Sequence, residues 1–560
     1  MPVTKYGIYL AYGPRIELRN EGLGRHLAEF LRASLRRDDV EFVIAAPSWM
    51  RDHLRDLMDG FGVSEGQYEI LGPTQSSLSW SAFQTGTRVR KWLSRVRKKD
   101  DVKKGGLLLR IKFAGIRLVS RVTRYLMRTR NPLVFVATVI LALSLLPFAA
   151  LIYLLRNTVL KGVGRLRRSS TLRRMLGTTQ PAKPRIFGLL GRMRHHLYQT
   201  MCDEEARLVA EMANRRDDIS AWYCPTAFWP QFNLIEKPRL TCVPDVVFTG
   251  FPVGFATDEP AADQLFNNFR RIESIIDAGH AFVTYSKHVK QKTLVERFQV
   301  KGSSVHVVPH GANRLDELIT VTGFADNRKA SDALSAQYFW SATSKATNNW
   351  NGVRFSSGDL GFVFYASQFR PNKNVVTLLK AYRWLRREKL LRYKLILTGA
   401  WQADREVNRY LTENNLHDDV LCLRNLTERE LAACYNRAVL AVNPSLSEGG
   451  MPFTFTEAVS VGTPVVMADI PVTKEILTDK VVHQKTVFNP ESWTAMAEKI
   501  EWAIQHKDSL YKIQRAFYDE VLVNRTWDHV VADYIDILND MAGKPFSYTP
   551  EIVERLNEAV

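Results

Sequence analysis

Residues 132–155, PLVFVATVILALSLLPFAALIYLL, carry no charge and are bracketed by Arg130 and Arg156. A run of this length and apolarity is enough to cross a bilayer as one helix, yet it sits well inside a chain of 560 residues. On both sides the sequence alternates short β-rich apolar runs with amphipathic helical patterns. KYGIYLAYG, VEFVIAAP and QYEILG precede the apolar stretch; AWYCP, RLTCVPDVVF, AFVTYS and VHVVPHG follow it, and a second set opens near residue 360 with LGFVFYAS, YKLILTGA, VLCLRNL and VLAVNPS. Such alternation predicts parallel sheets, because only strands covered by helices on both faces read as near-continuous apolar runs. A single crossing would place strands of one sheet on opposite sides of a membrane. The chain must therefore enter and leave on the same side, and Pro147 offers the break between two short arms of a re-entrant hairpin.

The charge follows the same segment. Between Arg88 and Arg185 stand 25 Lys/Arg against two Asp, while the whole chain carries +19, so the remainder is slightly acidic. In a helix over this region Arg110, Arg117, Arg121, Arg124 and Arg128 form one narrow stripe, and Leu108, Leu118, Val119, Val122, Leu126 and Met127 fill the opposite face. An element of that kind is expected in the headgroup plane, with residues 88–185 drawn to anionic lipids. A buried helical hairpin with a solvated basic rim is the alternative. Nucleic acid is not expected as a partner, since the segment has few aromatics to stack bases and no recognised module. MPVTKYGIYLAYGP opens directly into a strand-like run, without a basic leader or cleavage site. Five cysteines form no C-x-x-C pair and no metal-ligand cluster, which predicts a reduced setting and no zinc.

In open α/β sheets ligands lie beyond the carboxyl ends of the strands, so three loops carry the functional signal. In NEGLGRHL, Gly22 and Gly24 would let backbone amides approach a diphosphate at a helix N-terminus; a tight connection is the plainer alternative. FYASQFRPNKNVVTLLKAY sets Arg370 and Lys373 in a turn between strand and helix, where cations suit a diphosphate and a solvated turn is again the plainer alternative. NPSLSEGGMPFTFTEAVSVGTPVVMADIPVTKEIL places Glu448 and Glu457 on either side of a glycine nest, as acceptors for sugar hydroxyls and a ribose diol.

With these residues the chain resembles a family-4 retaining glycosyltransferase of the GT-B architecture, an α/β fold of two facing Rossmann-like parallel-sheet domains. The resemblance covers nearly everything outside about 75–190, and the paired-glutamate stretch is its most specific part. Residues 1–74 and 190–312 then form the N-terminal, acceptor-side domain, and 75–189 a basic, hydrophobic, membrane-associating helical insertion within it. Residues 313–357, rich in Ser, Asn, Thr and Ala, connect to a donor-binding domain over 358–525; 526–560, with Trp527, supply helices folding back across the cleft.

The resemblance implies that Gly22, Gly24 and Arg25 meet the donor phosphates and that Lys373 neutralises the leaving nucleoside diphosphate. It further implies that Glu448, Gly449, Gly450 and Met451 hold the transferred sugar and that Glu457 binds the ribose. Three positions depart from the family pattern. Eight residues rather than seven separate the two glutamates; Ser367 and Gln368 stand where Gly-Arg is usual, leaving Arg370 to supply a guanidinium; and Pro244 precedes Asp245 where a His-Asp pair often touches the donor sugar. His26, His288 and His310 lie in candidate loops, but no side chain is identified as a base.

The implied reaction needs no metal or cofactor, since a cationic turn and a helix dipole can stabilise the departing diphosphate. The expected protein is a monotopic or peripheral hexosyltransferase at the cytoplasmic face of the plasma (inner) membrane. It would take a nucleotide sugar, with GDP-mannose the first donor to test, to a lipid-linked or polysaccharide acceptor. A catalytically silent membrane scaffold in a polysaccharide assembly complex is the alternative.

Overall fold

The computed structural model describes residues 3–16, 18, 22–96, 114–142, 144, 186–255, 259–346, 361–401 and 404–546. Two parallel sheets organise them. The first has seven strands in the order β3-β2-β1-β4-β5-β6-β7, with β1 Thr4–Tyr9, β2 Val40–Ala45, β3 Glu69–Leu71, β4 Ile219–Cys224, β5 Arg239–Cys242, β6 Ala281–Thr284 and β7 Val305–Val307. The second has six in the order β10-β9-β8-β11-β12-β13, with β8 Phe362–Tyr365, β9 Lys394–Thr398, β10 Val420–Leu423, β11 Leu440–Asn443, β12 Val465–Ala468 and β13 Val487–Phe488. In each sheet the winding direction reverses at one place, between β1 and β4 and between β8 and β11. Such reversals open a crevice at the carboxyl edge of a doubly wound sheet.

The strands are apolar along their length because helices cover both faces. In the first domain β1 and β4 pair in parallel, so strands before and after the long insertion share one sheet. Gly7 on β1 makes room for the fully buried Trp222 of β4: a Cβ on Gly7 would lie 2.1 Å from the indole. The core also recruits the far end of the chain. Helix Trp527–Ala542, started by a Thr526–His529 capping box, buries Val530, Val531, Tyr534, Ile535 and Leu538 in the first domain's core.

Residues 313–346 are more than a connection. Helix Asn327–Ser344, capped by the Asp326 side chain on the Lys329 amide, packs along helix Glu428–Arg437 of the second domain. Ser335 bonds Asn436 at 2.8 Å and Lys345 pairs with the buried Glu430 at 2.6 Å, so polar composition here reflects helix–helix bonding rather than a solvated link.

The described part of the insertion is helical. Helices Leu78–Val96, Ala114–Arg128 and Ile186–Asn214 meet around Trp80, Met127 and Met201, with Trp49 and Tyr198 packed alongside. The third helix rises about 43 Å at 1.5 Å per residue, and its Tyr198 hydroxyl lies over Gly13 just beyond β1, so the bundle stands at the carboxyl edge of the first sheet. Helix Ala114–Arg128 does not keep its apolar stripe free. Met127 is buried against protein, Ser120 bonds His196 at 2.7 Å, and Arg128 reaches Glu204 at 2.6 Å and Glu211 at 2.7 Å. Residues 132–142 form a separate helix on which Leu133, Val136, Ile140 and Leu141 are more than half exposed. Among the described residues no helix is long and apolar enough to cross a membrane. The break expected at Pro147, the basic runs flanking the apolar stretch, and Leu108 and Arg110 lie outside the described residues.

Gly7→Ala should destabilise the first domain by about 3 kcal/mol, because neither the β1 backbone nor the fully buried indole can yield. Urea unfolding of the variant beside the parent protein checks this, with Gly22→Ala, which meets nothing within 4 Å, as the tolerated control.

Candidate active site between the two domains

Two loops leave the second sheet on either side of its reversal point, one after β8 and one after β11. The first turns through Asn374, a non-glycine residue at φ 58°, into helix Val375–Glu388. That left-handed position is tolerated by asparagine, whose side chain here donates to the carbonyls of Pro444 at 3.0 Å and Pro490 at 2.8 Å. Asn372, almost fully buried, donates to the Ser447 carbonyl at 3.1 Å, and its own carbonyl accepts from the Leu446 amide at 2.8 Å. The Tyr365 and Ser445 hydroxyls lie 3.1 Å apart. The two loops are thus stitched together backbone to side chain.

The product of this stitching is one ion pair, Lys373 Nζ to Glu448 Oε1 at 2.5 Å, with side-chain exposures of 19% and 16%. Burial opposes the Lys373 ammonium, but Glu448 beside it outweighs that and holds its pKa above the usual lysine value. Arg370, the other cation of the turn, is exposed and donates to Gln368 at 2.7 Å.

The first domain closes on the same loops. A Cβ on Gly449 would fall 2.0 Å from the Pro244 carbonyl oxygen and 3.3 Å from the Asp245 Cβ, so the glycine is required by contact between the domains. A Cβ on Gly450 would meet Tyr285 at 2.8 Å and His310 at 3.1 Å. Ser286 Oγ donates to the Gly449 carbonyl at 2.9 Å, and the Lys287 and His288 amides bind the Glu475 carboxylate at 2.8 and 2.6 Å. Asp245 is thereby held near the ion pair. Burial, then the Glu448 carboxylate, push its pKa up to about 6, against Lys373 and Arg370, which pull it down.

A second polar contact lies at the start of helix Gly22–Ser34. Arg25 Nη2 pairs with Glu457 Oε1 at 2.7 Å, the same oxygen accepts from Asn313 Nδ2 at 3.2 Å, and Trp527 Nε1 donates to Asn313 Oδ1 at 3.3 Å. Glu457, on helix Phe453–Ser460, is 2% exposed. Gly24 is explained by its own loop, since a Cβ there would lie 2.0 Å from the Leu18 carbonyl oxygen; Gly22 faces open space. Met451 packs against the second domain's core.

His26 and His310 fill the interface rather than a catalytic position. Their rings lie 5.5 Å apart, His26 is 5.0 Å from Trp527, and burial lowers the His26 pKa to about 4 and that of His310 well below the usual value. Both are neutral aromatic packing at ordinary pH.

The structure therefore gathers Asp245, Lys373, Glu448, Gly449 and Gly450 at one place and Arg25 and Glu457 at another, both along the interdomain cleft. Asn372, Asn374, Asn313, Ser286 and Glu475 escaped the sequence reading. The Asn-Lys-Asn turn does signal a left-handed cap, whereas nothing local marks Ser286 or Glu475.

Two outcomes follow from these contacts. Because the Asp245 pKa is raised on folding, its contribution favours the folded state below about pH 4 and is lost as pH rises through about 6. The stability difference between the parent protein and Asp245→Asn, read by urea unfolding at successive pH values, should therefore shift by about 2 kcal/mol against the parent over that window. Glu457→Ala should cost about 2 kcal/mol, because it removes the nearer of the two carboxylates beside the Arg25 guanidinium and leaves only Glu428, at 3.7 Å, whereas Arg25→Met with Glu457→Leu should cost clearly less. A double-mutant cycle by thermal or urea unfolding measures the coupling.

Comparison with known proteins agrees with this arrangement. Residues 348–519 match the family model described as glycosyl transferases group 1. The chain is 34% identical over 123 residues to O-antigen chain mannosyltransferase B of Escherichia coli, covering 21% of this chain and 31% of that protein. It is 30% identical over 136 residues to O-antigen chain mannosyltransferase RfbU of Salmonella typhimurium, covering 23% and 36%. The chain thus matches about a third of the length of these curated relatives. Among solved structures, Anabaena Alr3699/HepE in complex with UDP and glucose superposes with a TM-score of 0.50 at 12% identity over 96% of this chain and 100% of that one. Sucrose-phosphate synthase from Thermosynechococcus elongatus gives 0.52 at 12% identity over 96% and 98%. These likenesses show the GT-B fold, and the match to the glycosyl transferases group 1 model lies in residues 348–519.

Proposed function

We propose that the protein is a retaining hexosyltransferase that takes a sugar from a nucleotide-diphosphate donor to a glycan carried on a membrane lipid at the cytoplasmic face. The observation that carries this reading is the Lys373–Glu448 pair held against Asp245 at the meeting of two reversal-point crevices. The names of the two mannosyltransferase relatives favour GDP-mannose as the first donor to test, and the complex of the Anabaena protein with UDP and glucose makes UDP-glucose the second.

In this reading the diphosphate occupies the space beside Lys373, whose ammonium compensates the charge that grows on the leaving oxygen. Arg370 at the rim and the start of helix Phe453–Ser460, beyond the Gly449-Gly450 nest, add positive potential. No metal or cofactor is called on. Glu448 accepts hydroxyls of the transferred sugar, and Glu457 accepts the ribose diol once it exchanges bonds with Arg25 and Asn313. Retention would follow if a leaving-group oxygen takes the acceptor proton on the face where the diphosphate departs. Asp245, poised near pH 6, sits where it can hold a proton on a sugar hydroxyl from the first domain.

Membrane docking is the second part of the reading. The helical bundle stands at the carboxyl edge of the first sheet, and the exposed Leu133, Val136, Ile140 and Leu141 lie on a helix attached to it. An apolar helix exposed in this way is suited to a bilayer interface, which would hold a lipid-borne acceptor near the cleft.

Purified protein incubated with GDP-mannose or UDP-glucose should hydrolyse or transfer the sugar. Lys373→Ala and Glu448→Ala should each lower the rate by about 100-fold, in keeping with about 3 kcal/mol of lost transition-state stabilisation. Equal background rates in all three proteins would favour the silent scaffold instead.

A further inference from the structure

The bundle contains a cavity of about 430 Å³ that the glycosyl-transfer reading leaves unexplained. It lies between helices Ala114–Arg128 and Ile186–Asn214 and is lined by Arg121, Arg124, Tyr125, Arg128, Glu204 and Arg207. Arg121, Arg124 and Arg128 recur at helical spacing on one face, where like charges repel one another, and Arg207 approaches from the facing helix. Two carboxylates answer them. Glu204, 2% exposed, takes Arg128 at 2.6 Å and lies 3.8 Å from Arg207, and Glu211 takes the other arm of Arg128 at 2.7 Å. Among the described residues no hydrogen bond or ion pair engages Arg121 or Arg124, and the Nε of Arg124 is shut off from solvent without a partner. Two guanidinium groups of one helix face, Arg121 and Arg124, thus line the cavity with no acid engaged to them among the described residues. An anion with several acceptor oxygens would complete the site, and guanidinium forks match phosphate geometry.

What stands next to the cavity indicates the carrier. Arg128 is followed, after Thr129, Arg130 and Asn131, by the exposed apolar helix over 132–142. Phosphate chemistry and hydrocarbon surface are thus joined by three residues.

We propose that this cavity binds a phosphomonoester or diphosphate head group carried by a membrane lipid, with the helix over 132–142 set against the adjoining acyl chains. The site rests on the membrane-docking part of the function proposed above and names what is recognised there; it requires nothing of the transfer chemistry.

The test uses the full chain and flotation with phosphatidylcholine vesicles containing either phosphatidic acid, a phosphomonoester, or phosphatidylglycerol, a diester, at equal surface charge. The parent protein should prefer phosphatidic acid by about fivefold or more, the equivalent of about 1 kcal/mol. Inorganic pyrophosphate should reduce its binding to the phosphatidylglycerol level. Arg121→Gln with Arg124→Gln should erase the preference, whereas Arg130→Gln with Arg194→Gln, which removes the same charge outside the cavity lining, should retain it. Equal binding to both vesicles, or equal loss in both double variants, would reduce the effect to diffuse charge and overturn the site. Pyrophosphate binding without any vesicle preference would assign the cavity to a soluble anion and overturn the lipid. Nucleotide-sugar turnover, measured in parallel without vesicles, should be unchanged in Arg121→Gln with Arg124→Gln. Absence of turnover in the parent protein would count against the transferase reading and leave the vesicle result standing.

Discussion

The contact on which the site depends is the approach of the Pro244 carbonyl to Gly449. Backbone meets backbone there with no room for a methyl group, so the carboxyl edges of two sheets come closer than any pair of side-chain-bearing loops would allow. Everything polar in the cleft inherits its position from that approach. Asp245 is carried from one domain into the field of a lysine and a glutamate from the other, in surroundings where charges act strongly because little water screens them. Two carboxylates and one mostly buried cation share this end of the cleft, with Arg370 at its rim.

The other half of the cleft is built on a different principle. Arg25 pairs with Glu457 and lies 3.7 Å from Glu428, Asn313 links Glu457 to Trp527, and the surrounding His26, His310, Tyr285 and Phe453 are neutral rings in mutual contact. Burial of the histidines strips them of charge and turns them into packing, which is why candidate loops rich in histidine need not be catalytic. In the proposed reading a ribose diol at Glu457 would replace existing hydrogen bonds rather than create new ones, an exchange of small net gain. The Lys373 ammonium is likewise already engaged, by Glu448 at 2.5 Å, so in the proposed reading a diphosphate there would also enter by exchange.

Much of this was legible in the chain. Strands such as VVMA and LAVN are buried on both faces, and their continuous apolar character follows from that burial. Reversal points then place the loops holding Lys373 and Glu448 side by side. What could not be read was the reason for each glycine. Gly24 reads as a phosphate contact in sequence and Gly449 as a sugar contact, and in the structure the first also makes room for the Leu18 carbonyl of its own loop and the second for a carbonyl from the facing domain. A glycine reports that something comes close, not what comes close. The helix Asn327–Ser344 was missed for a related reason: its Ser, Asn and Thr content resembles a linker, and only the partner helix, with Asn436 and Glu430, supplies the bonds that make it structure. Met451, adjacent to the nest, read as a sugar contact and is held by the core.

The concentration of charge between Arg88 and Arg185 also takes on a different meaning once contacts are known. At physiological ionic strength a surface charge acts over about 8 Å, so the segment's total says little about attraction to a membrane unless its side chains are free to face it. Arg128 is not, being committed to Glu204 and Glu211. Arg124 and Arg121, about one and two turns before it, have no such partners among the described residues. They stand on the helix that leads into the exposed apolar helix over 132–142, so a membrane contact of the proposed kind would be set by this local geometry rather than by the overall basicity of the chain.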